Sequence, residues 1–419
     1  MQKSKTFCVK PWIHMATYTT GEALMCCVAK EAAGNLNRDT IEEIWNGEHY
    51  RKARLAMLAG EKVSACIKCY TEEEAGINSH RVVENHIWEF GSESKVQPML
   101  GTEFIDQLVG QTDPNGYLDS SPITFDFRLG NTCNLQCVMC GPKDSSKWVN
   151  FAQQLGQDMS KWDTSKYNWV EDDDFWNKQF LPLLPNIKHL ILAGGEPLLL
   201  KQHTRLLERC IAEGHSKNIT IRYHTNATTM PDFLFGLWER FKYIDLMLSI
   251  DCWGEKNDWI RYPGKWDDIV DNLHMLEGSS DNIVPRILAT VNAYNVFYMP
   301  DYADWLLDQK FKKICYHGSS YGGLFNVGYV HGPTYLNIKV LPKKIKEQIT
   351  IKYDRWYNTY NEKTYNLDRI YEIKDFMNNE DLSRHFNEFK SYTTKVDLVR
   401  STNFAETFPE YWTMLKEYF

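Results

Sequence analysis

The chain has 419 residues, of which 43% are apolar and 24% charged, and this length allows two or three domains with a large core. The net charge of −8 argues against nucleic acid as a partner, because phosphate binding needs a surplus of lysine and arginine. No apolar run approaches the roughly 20 residues that span a bilayer, and the first residues lack the apolar core of a signal peptide. We therefore expect a cytoplasmic protein with no membrane partner.

Most of the eleven cysteines fall into two groups along the chain. The first group is Cys8, Cys26, Cys27, Cys66 and Cys69, and the second group is Cys133, Cys137 and Cys140. In a reducing compartment such groups indicate metal binding or catalysis rather than disulfides.

Residues 1–90 are predicted to form a small domain around the first cysteine group. Residues 21–25 are predicted as a short strand, and a helix is predicted from Asp39 to Gly60, with Thr40 and Glu43 at the spacing of a capping box. Closely spaced cysteine pairs bind zinc as well as iron–sulfur clusters. The residues of this group are therefore compatible with either a zinc site or an iron–sulfur cluster. Residues 91–120, with several glycines and prolines, are predicted to connect this domain to the next.

Residues 121–324 alternate between strand-like and helix-like segments. Strands are predicted at 123–127, 187–192, 218–223, 243–250, 285–291 and 311–316, and helices between them at 201–214, 231–241, 266–276 and 299–309. Repeated strand–helix units predict an α/β fold with a parallel sheet, here a partial (β/α)6 TIM-like barrel. Functional groups are expected where its strands end. Residues 325–419 are predicted to be a charged, helical C-terminal extension.

The second cysteine group follows the first barrel strand directly, as Cys133-x-x-x-Cys137-x-x-Cys140. Three thiolates can ligate three irons of a [4Fe–4S] cluster and leave the fourth iron open, which is typical of a catalytic site. The alternatives are a zinc site or three buried thiols, but structural zinc prefers four ligands and no fourth Cys or His lies close in the sequence.

Together with Gly194-Gly195-Glu196-Pro197 after the second strand, this triplet resembles the signature of the radical S-adenosylmethionine (SAM) superfamily. The resemblance implies that the open iron chelates SAM, and that Glu196 and the backbone of this loop accept hydrogen bonds from the SAM ammonium. It also implies that Ser249 and Asp251 meet the SAM carboxylate and ribose. Further implied contacts are Arg261 with the SAM carboxylate, and Asn226 and Asn292 with the nucleoside. For both asparagines an ordinary turn role stays open.

The first cysteine group resembles a twitch domain, which is half of a SPASM domain and binds an auxiliary [4Fe–4S] cluster. The resemblance implies Cys8, Cys26, Cys66 and Cys69 as ligands. Cys26 is preferred over Cys27 because the family has a cysteine five residues after the hairpin glycine, here Gly21. In most relatives this domain follows the barrel, whereas here it precedes it.

The two resemblances imply a radical SAM enzyme with SAM and two [4Fe–4S] clusters as cofactors. Reductive cleavage of SAM would give a 5′-deoxyadenosyl radical that removes hydrogen from a substrate. The implied substrate is a peptide or protein, and the electron donor is a protein such as flavodoxin or ferredoxin. The alternatives are radical modification or group transfer on a small molecule, such as a sugar or nucleotide derivative, and a non-catalytic iron–sulfur or zinc scaffold.

Overall fold

A computed structural model describes residues 4–74, 76, 78–91, 96, 98–316, 324–360 and 367–419. The chain divides into two compact units. The first unit comprises Met1–Thr132, Trp162–His224 and Pro231–Asp245. The second unit comprises Cys133–Lys161, Thr225–Met230 and Leu246–Phe419. The domain boundaries expected at residues 90, 120 and 324 stay predictions.

Nine strands occur in the described residues. They are β1 (His14–Thr17), β2 (Glu22–Leu24), β3 (Gly34–Asn35), β4 (Thr124–Arg128), β5 (His189–Ala193), β6 (Thr220–Thr225), β7 (Tyr243–Ser249), β8 (Ile283–Val291) and β9 (Asn326–Tyr329). In the first unit the strand order is β3-β2-β1-β4-β5-β6, followed by the start of β7. β1, β4, β5 and β6 are mutually parallel, with Thr124 opposite both His14 and His189. β2 and β3 are added antiparallel at one edge.

The described residues contain nineteen α-helical segments, several of them a single turn. They are α1 (Lys10–Ile13), α2 (Ile41–Trp45), α3 (Glu48–Ala59), α4 (Ile67–Glu74), α5 (His80–Phe90), α6 (Thr102–Gly110), α7 (Lys147–Gln154), α8 (Lys201–Ala212), α9 (Phe233–Trp238), α10 (Gly254–Ile260), α11 (Trp266–Glu277), α12 (Met299–Asp308), α13 (Lys313–Tyr316), α14 (Lys343–Tyr357), α15 (Asp368–Tyr371), α16 (Ile373–Asn378), α17 (Phe386–Arg400), α18 (Phe404–Thr407) and α19 (Pro409–Leu415).

The N-terminal elements confirm the strand at residues 22–24 and the capping box of Thr40 and Glu43. The single helix predicted to Gly60 is wrong, because the chain forms α2 and α3 with a break at Asn46 and Gly47. The Asn46 side chain bonds both backbone groups of Leu118, which draws this residue out of the helix. The segment predicted as a connection contains α6, and its residues 92–95 and 97 lie outside the described part of the chain.

The core of the first unit is aromatic on one side of β4. Successive strand residues point to opposite faces, so Phe125 and Phe127 lie on the face opposite to Asp126. Phe127 contacts the rings of Trp169 and Phe180 at centroid distances of 5.9 and 5.2 Å. The segment at residues 162–180 therefore covers this face of the sheet, and Asp126 is left on the other.

In the second unit the end of β7 is followed by the parallel pair β8 and β9, with Leu288 opposite Asn326. The strand predicted at residues 311–316 is wrong, since residues 313–316 form α13. Buried Phe311, Ile314 and Cys315 have helical spacing, and the Glu277 carboxylate accepts the backbone N–H groups that begin this turn. The sixth barrel strand is β9.

The predicted α/β fold class with a parallel sheet is confirmed, and so is the helical C-terminal segment. The four predicted helices between strands correspond to α8, α9, α11 and α12. The strands end close to the predicted positions, so the predicted site residues follow strand ends. Among the described residues, no helix combines the length and the apolar character that crossing a membrane requires.

Candidate functional site

The loop at residues 133–140, called here the cluster loop, is fixed by hydrogen bonds of its own backbone within the second unit. The Gln136 N–H donates to the Tyr262 carbonyl at 2.6 Å, and the Val138 N–H donates to the Ile260 carbonyl at 2.9 Å. The Cys140 N–H donates to the Cys137 carbonyl at 3.0 Å and closes a turn. These bonds hold the segment that carries the three cysteines.

The three thiols of the cluster loop differ in exposure. Cys137 is buried, whereas Cys133 and Cys140 are half-buried. A hydrogen bond with the Cys140 thiol lowers the pKa of Cys137, and the Arg261 guanidinium acts in the same direction, with its Nη1 3.8 Å from the Cys137 sulfur. The thiolate is the form of cysteine that binds metal. The surroundings of Cys137 therefore favour the form that can ligate a cluster.

Asp251 follows the end of β7 and forms a buried ion pair with Arg261. The Arg261 Nε lies 2.8 Å from the Asp251 Oδ2, and the Thr290 N–H donates to Asp251 Oδ1 at 2.7 Å. Ser249, at the last position of β7, is half-buried. The structure thus brings Asp251 and Arg261 together, and the same guanidinium reaches Cys137.

The loop Gly194–Pro197 follows β5 in the first unit and lies against the backbone of residues 130–132. Gly194 has φ +116°, and a Cβ there would lie 2.6 Å from the Gly130 carbonyl oxygen. A Cβ on Gly195 would overlap the Thr132 carbonyl oxygen, and the Glu196 N–H donates to that oxygen at 2.8 Å. The two glycines therefore allow contact with the segment between β4 and Cys133, and Glu196 is fully buried.

Asn226 and Asn292 both follow strand ends in the second unit and are buried. Asn226 donates to Asn134 at 2.9 Å and accepts the Thr228 N–H at 3.0 Å. Asn292 donates to the Thr290 carbonyl at 3.0 Å and accepts the Tyr294 N–H at 3.0 Å. Both side chains thus stabilise local turns, which is compatible with the turn role left open by the sequence.

The N-terminal cysteines Cys8, Cys26, Cys66 and Cys69 are neighbours in the first unit. Burial raises the pKa of Cys8 to about 12, and the thiols of Cys66 and Cys69 add to this effect. Burial, together with Cys26 and Cys69, raises the pKa of Cys66 to about 12. Each of the four thiols therefore lies within electrostatic range of others in the set.

Cys27 lies in a different environment from Cys26. Its sulfur is 3.9 Å from the Nε2 of His80, and burial and then Asp126 raise its pKa to about 11. For Cys26, burial, Cys27 and Cys8 raise the pKa. The two adjacent cysteines thus diverge, with Cys26 next to the other thiols and Cys27 next to His80.

A buried ion pair beside these cysteines was not predicted from the sequence. Lys10 Nζ lies 2.9 Å from Glu84 Oε2, and both residues are buried. Burial opposes the charge of Lys10, but Glu84 and the nearby thiols of Cys27 and Cys26 raise its pKa. The sequence could have indicated Lys10 through its position two residues after Cys8. A lysine beside a thiolate ligand stabilises the negative charge of the thiolate.

Two stretches of the chain match known families. Residues 127–289 match the radical SAM superfamily, and residues 8–70 match the SPASM iron–sulfur cluster-binding domain. Residues 127–289 therefore form a domain of the radical SAM superfamily, and residues 8–70 form an iron–sulfur cluster-binding domain of the SPASM type. No curated protein sequence matches the chain.

Several solved structures are similar to parts of the chain. The anSMEcpe protein with bound AdoMet is 15% identical with a TM-score of 0.38, over 56% of this chain and 60% of that chain. Streptococcus suis SuiB bound to S-adenosylmethionine is 15% identical with a TM-score of 0.34, over 74% of this chain and 62% of that chain. Streptococcus suis SuiB bound to precursor peptide SuiA is 14% identical with a TM-score of 0.34, over 83% of this chain and 64% of that chain. The chain thus spans less than two thirds of these proteins.

The donor sets fit the cofactors that the family implies. The cluster loop supplies three sulfurs with a guanidinium beside one of them, and the N-terminal set supplies four. In the described residues no three Cys, His, Asp or Glu side chains converge on the position of a single metal ion. A four-iron cluster binds its sulfur ligands at separate corners and does not need such convergence.

Proposed function

We propose that the protein is a radical SAM enzyme that acts on a peptide or protein and uses two [4Fe–4S] clusters. The observation that carries the catalytic assignment is the arrangement of Cys133, Cys137 and Cys140 on one hydrogen-bonded loop, with Arg261 3.8 Å from the Cys137 sulfur. Three sulfurs on one short loop leave one iron free to bind SAM.

Cys133, Cys137 and Cys140 would hold the SAM-binding cluster. When bound, the cluster supplies the electron that cleaves SAM into methionine and a 5′-deoxyadenosyl radical, which takes hydrogen from the substrate. Arg261 would pair with the SAM carboxylate, and Asp251 orients this guanidinium through their 2.8 Å ion pair. Glu196, with the backbone of the Gly194–Pro197 loop, would accept hydrogen bonds from the SAM ammonium.

Cys8, Cys26, Cys66 and Cys69 would hold an auxiliary [4Fe–4S] cluster with all four irons ligated. This proposal is supported by the match of residues 8–70 to the SPASM domain and by the mutual effect of these thiols on their pKa values. The auxiliary cluster would pass electrons or bind substrate. Lys10 would offset part of the negative charge of this site.

A peptide or protein substrate is proposed because enzymes with SPASM or twitch domains often modify peptides, and residues 8–70 match that domain. A small molecule such as a sugar or nucleotide derivative is the second candidate, and a gene for a short precursor peptide beside this one would favour the first. We further propose a flavodoxin or ferredoxin as electron donor and the cytoplasm as location, since a reducing compartment maintains thiolate ligands.

The proposal is tested by changing Cys133, Cys137 and Cys140 together to Ala in the full chain, reconstituted with iron and sulfide without oxygen. We expect 5′-deoxyadenosine formation from SAM to be lost and bound iron to fall from about eight atoms to about four. The matched control is Cys210→Ala with Cys315→Ala, which removes two buried thiols outside both groups. It should cleave SAM and bind iron like the parent protein.

Undiminished 5′-deoxyadenosine formation by the triple variant would refute the assignment of the catalytic cluster. A parent protein that contains zinc and only about four irons would refute the auxiliary cluster and leave the radical chemistry intact.

A further inference from the structure

The cluster loop has four consecutive backbone carbonyls, and each accepts a hydrogen bond from a side chain of the second unit. Ser145 donates to the Leu135 carbonyl at 2.6 Å, and Trp148 Nε1 donates to the Cys137 carbonyl at 2.8 Å. The remaining two carbonyls belong to Gln136 and Val138, and their donors lie about 260 positions further along the chain, on α17.

The two donors on α17 are Tyr392 and Arg400. The Tyr392 hydroxyl donates to the Val138 carbonyl at 2.8 Å. The Arg400 Nη2 donates to the Gln136 carbonyl, and its Nη1 donates to the Trp259 carbonyl at 3.0 Å. The bond to the Val138 carbonyl is buried, and a buried backbone carbonyl needs a partner, so without α17 this carbonyl would lose the donor that the structure gives it. One guanidinium thus joins the cluster loop to the end of α10.

The guanidinium of Arg400 contacts two aromatic rings in addition to the two carbonyls. Its guanidinium carbon lies 4.5 Å from the centroid of the Phe151 ring and 5.0 Å from that of Tyr262, and the residue is only 7% exposed. Burial lowers the pKa of Arg400, and the neighbouring Tyr392 and Cys137 groups act in the opposite direction. A planar guanidinium packed between two rings has little freedom to leave the carbonyls that it bonds.

α17 itself is fixed to the second unit by a stripe of buried side chains. Phe389, Thr393 and Val396 belong to this stripe and have the three- and four-residue spacing of one helix face. The Thr393 hydroxyl lies 3.0 Å from the Tyr294 hydroxyl, and Asp397 accepts the Trp259 Nε1–H at 2.9 Å. The helix is therefore a rigid support for its two donors.

We propose that Tyr392 and Arg400 are positioning residues of the SAM cluster, so that helix α17 of the C-terminal segment forms part of the cluster site. The two side chains fix the carbonyls of Gln136 and Val138, and thereby the backbone on both sides of Cys137. The positive charge of Arg400 also lies behind the loop, where it favours thiolates. This inference rests on the proposed function only in taking Cys133, Cys137 and Cys140 as cluster ligands.

The test uses the full chain, reconstituted without oxygen, with Arg400→Met, Arg400→Lys and Tyr392→Phe. The first readout is hydrogen exchange of the Gln136 and Val138 amides, which are bonded in the parent. We expect about ten- to hundredfold faster exchange in Arg400→Met, because a charged hydrogen bond is lost, and about two- to tenfold in Tyr392→Phe. Arg400→Lys should fall between parent and Met variant, since an ammonium keeps the charge without the planar fork.

The second readout is the rate at which a chelator removes iron. In the Arg400 and Tyr392 variants about four of about eight irons should be lost faster than in the parent, and the others at the parent rate. Two matched controls should behave like the parent in both readouts. Lys395→Met removes an exposed cation from the same helix, and Tyr411→Phe removes a buried hydroxyl that donates to the Ala293 carbonyl at 3.0 Å.

Parent-like exchange of the cluster loop in both Tyr392→Phe and Arg400→Met would overturn the proposal, as would equal acceleration in the Tyr411→Phe control. If Arg400→Met does not fold, Tyr392→Phe and Arg400→Lys decide the result. Failure of the proposed function has a different signature, because the parent would then neither cleave SAM nor lose iron when the three loop cysteines are changed.

Discussion

Adjacent cysteines can have separate roles when a turn directs their side chains to different neighbours. The Cys26 thiol is influenced by Cys8 and in turn raises the pKa of Cys66, whereas the Cys27 sulfur lies 3.9 Å from His80. A metal ligand has to lie with the other ligands, so only one of the two can complete a four-cysteine set.

We predict that Cys26→Ser lowers bound iron from about eight atoms to about four, since one missing ligand opens the auxiliary cluster. Cys27→Ser is the matched control, with the same chemical change one residue away, and should retain about eight irons. Iron and sulfide analysis of proteins reconstituted in parallel measures both. Halved iron in Cys27→Ser with full iron in Cys26→Ser would contradict the assignment.

At the scale of elements, the Gly194–Pro197 loop and the segment between β4 and Cys133 are in direct backbone contact. The Glu196 N–H bonds the Thr132 carbonyl at 2.8 Å, and a side chain on Gly195 would overlap the same oxygen. Since backbone atoms cannot rotate away as a side chain can, Thr132 would have to move.

We predict that Gly195→Ala lowers the free energy of unfolding by about 1–3 kcal/mol and lowers iron loading of the cluster loop, because the displaced Thr132 directly precedes Cys133. Gly236→Ala is the matched control, since Gly236 lies exposed in α9 with no atom near its Cβ position. That change should stabilise by about 0.5–1 kcal/mol. Denaturant unfolding and iron analysis test both variants, and an unchanged stability in Gly195→Ala would contradict the contact.

Buried neutral histidines link the stability of the whole molecule to pH. Burial lowers the pKa of His203 to about 3, and burial followed by Arg222 lowers the pKa of His189 to about 3. Burial also lowers the pKa of His224 to about 4. The unfolded chain binds these protons near pH 6.5 and the folded chain does not, so stability is complete above that pH and falls as the pH decreases toward the folded pKa values.

We predict that between pH 7.5 and 5.5 His203 alone lowers the free energy of unfolding by about 1.4 kcal/mol. His203→Gln should remove this contribution to the pH dependence. Between pH 7.5 and 5.5 the free energy of unfolding of the variant should therefore fall by about 1.4 kcal/mol less than that of the parent. Leu207→Ala, on the same helix, is destabilised without a titrating group and should follow the parent's pH dependence. Denaturant unfolding at the two pH values decides, and equal pH dependence in parent and His203→Gln would be the contrary result.

The sequence predicted the elements whose signals are local. The capping box of Thr40 and Glu43 and the strand–helix alternation depend on neighbouring residues, and the structure contains both. The strand predicted at 311–316 failed because its helical form depends on Glu277, which lies far away in sequence and accepts the N–H groups of residues 312–314. Asn46 likewise breaks a helix through its bonds to Leu118.

The sequence by itself identified the radical SAM domain, because the spacing of three cysteines and the Gly-Gly-Glu-Pro turn are local patterns. Only the tertiary structure decided which distant groups surround them. It paired Asp251 with Arg261, placed Lys10 beside Cys26, and brought Tyr392 and Arg400 to the cluster loop. The contacts of Tyr392 and Arg400 join residues far apart in the chain, and the pairing of backbone carbonyls selects them, which no local periodicity encodes.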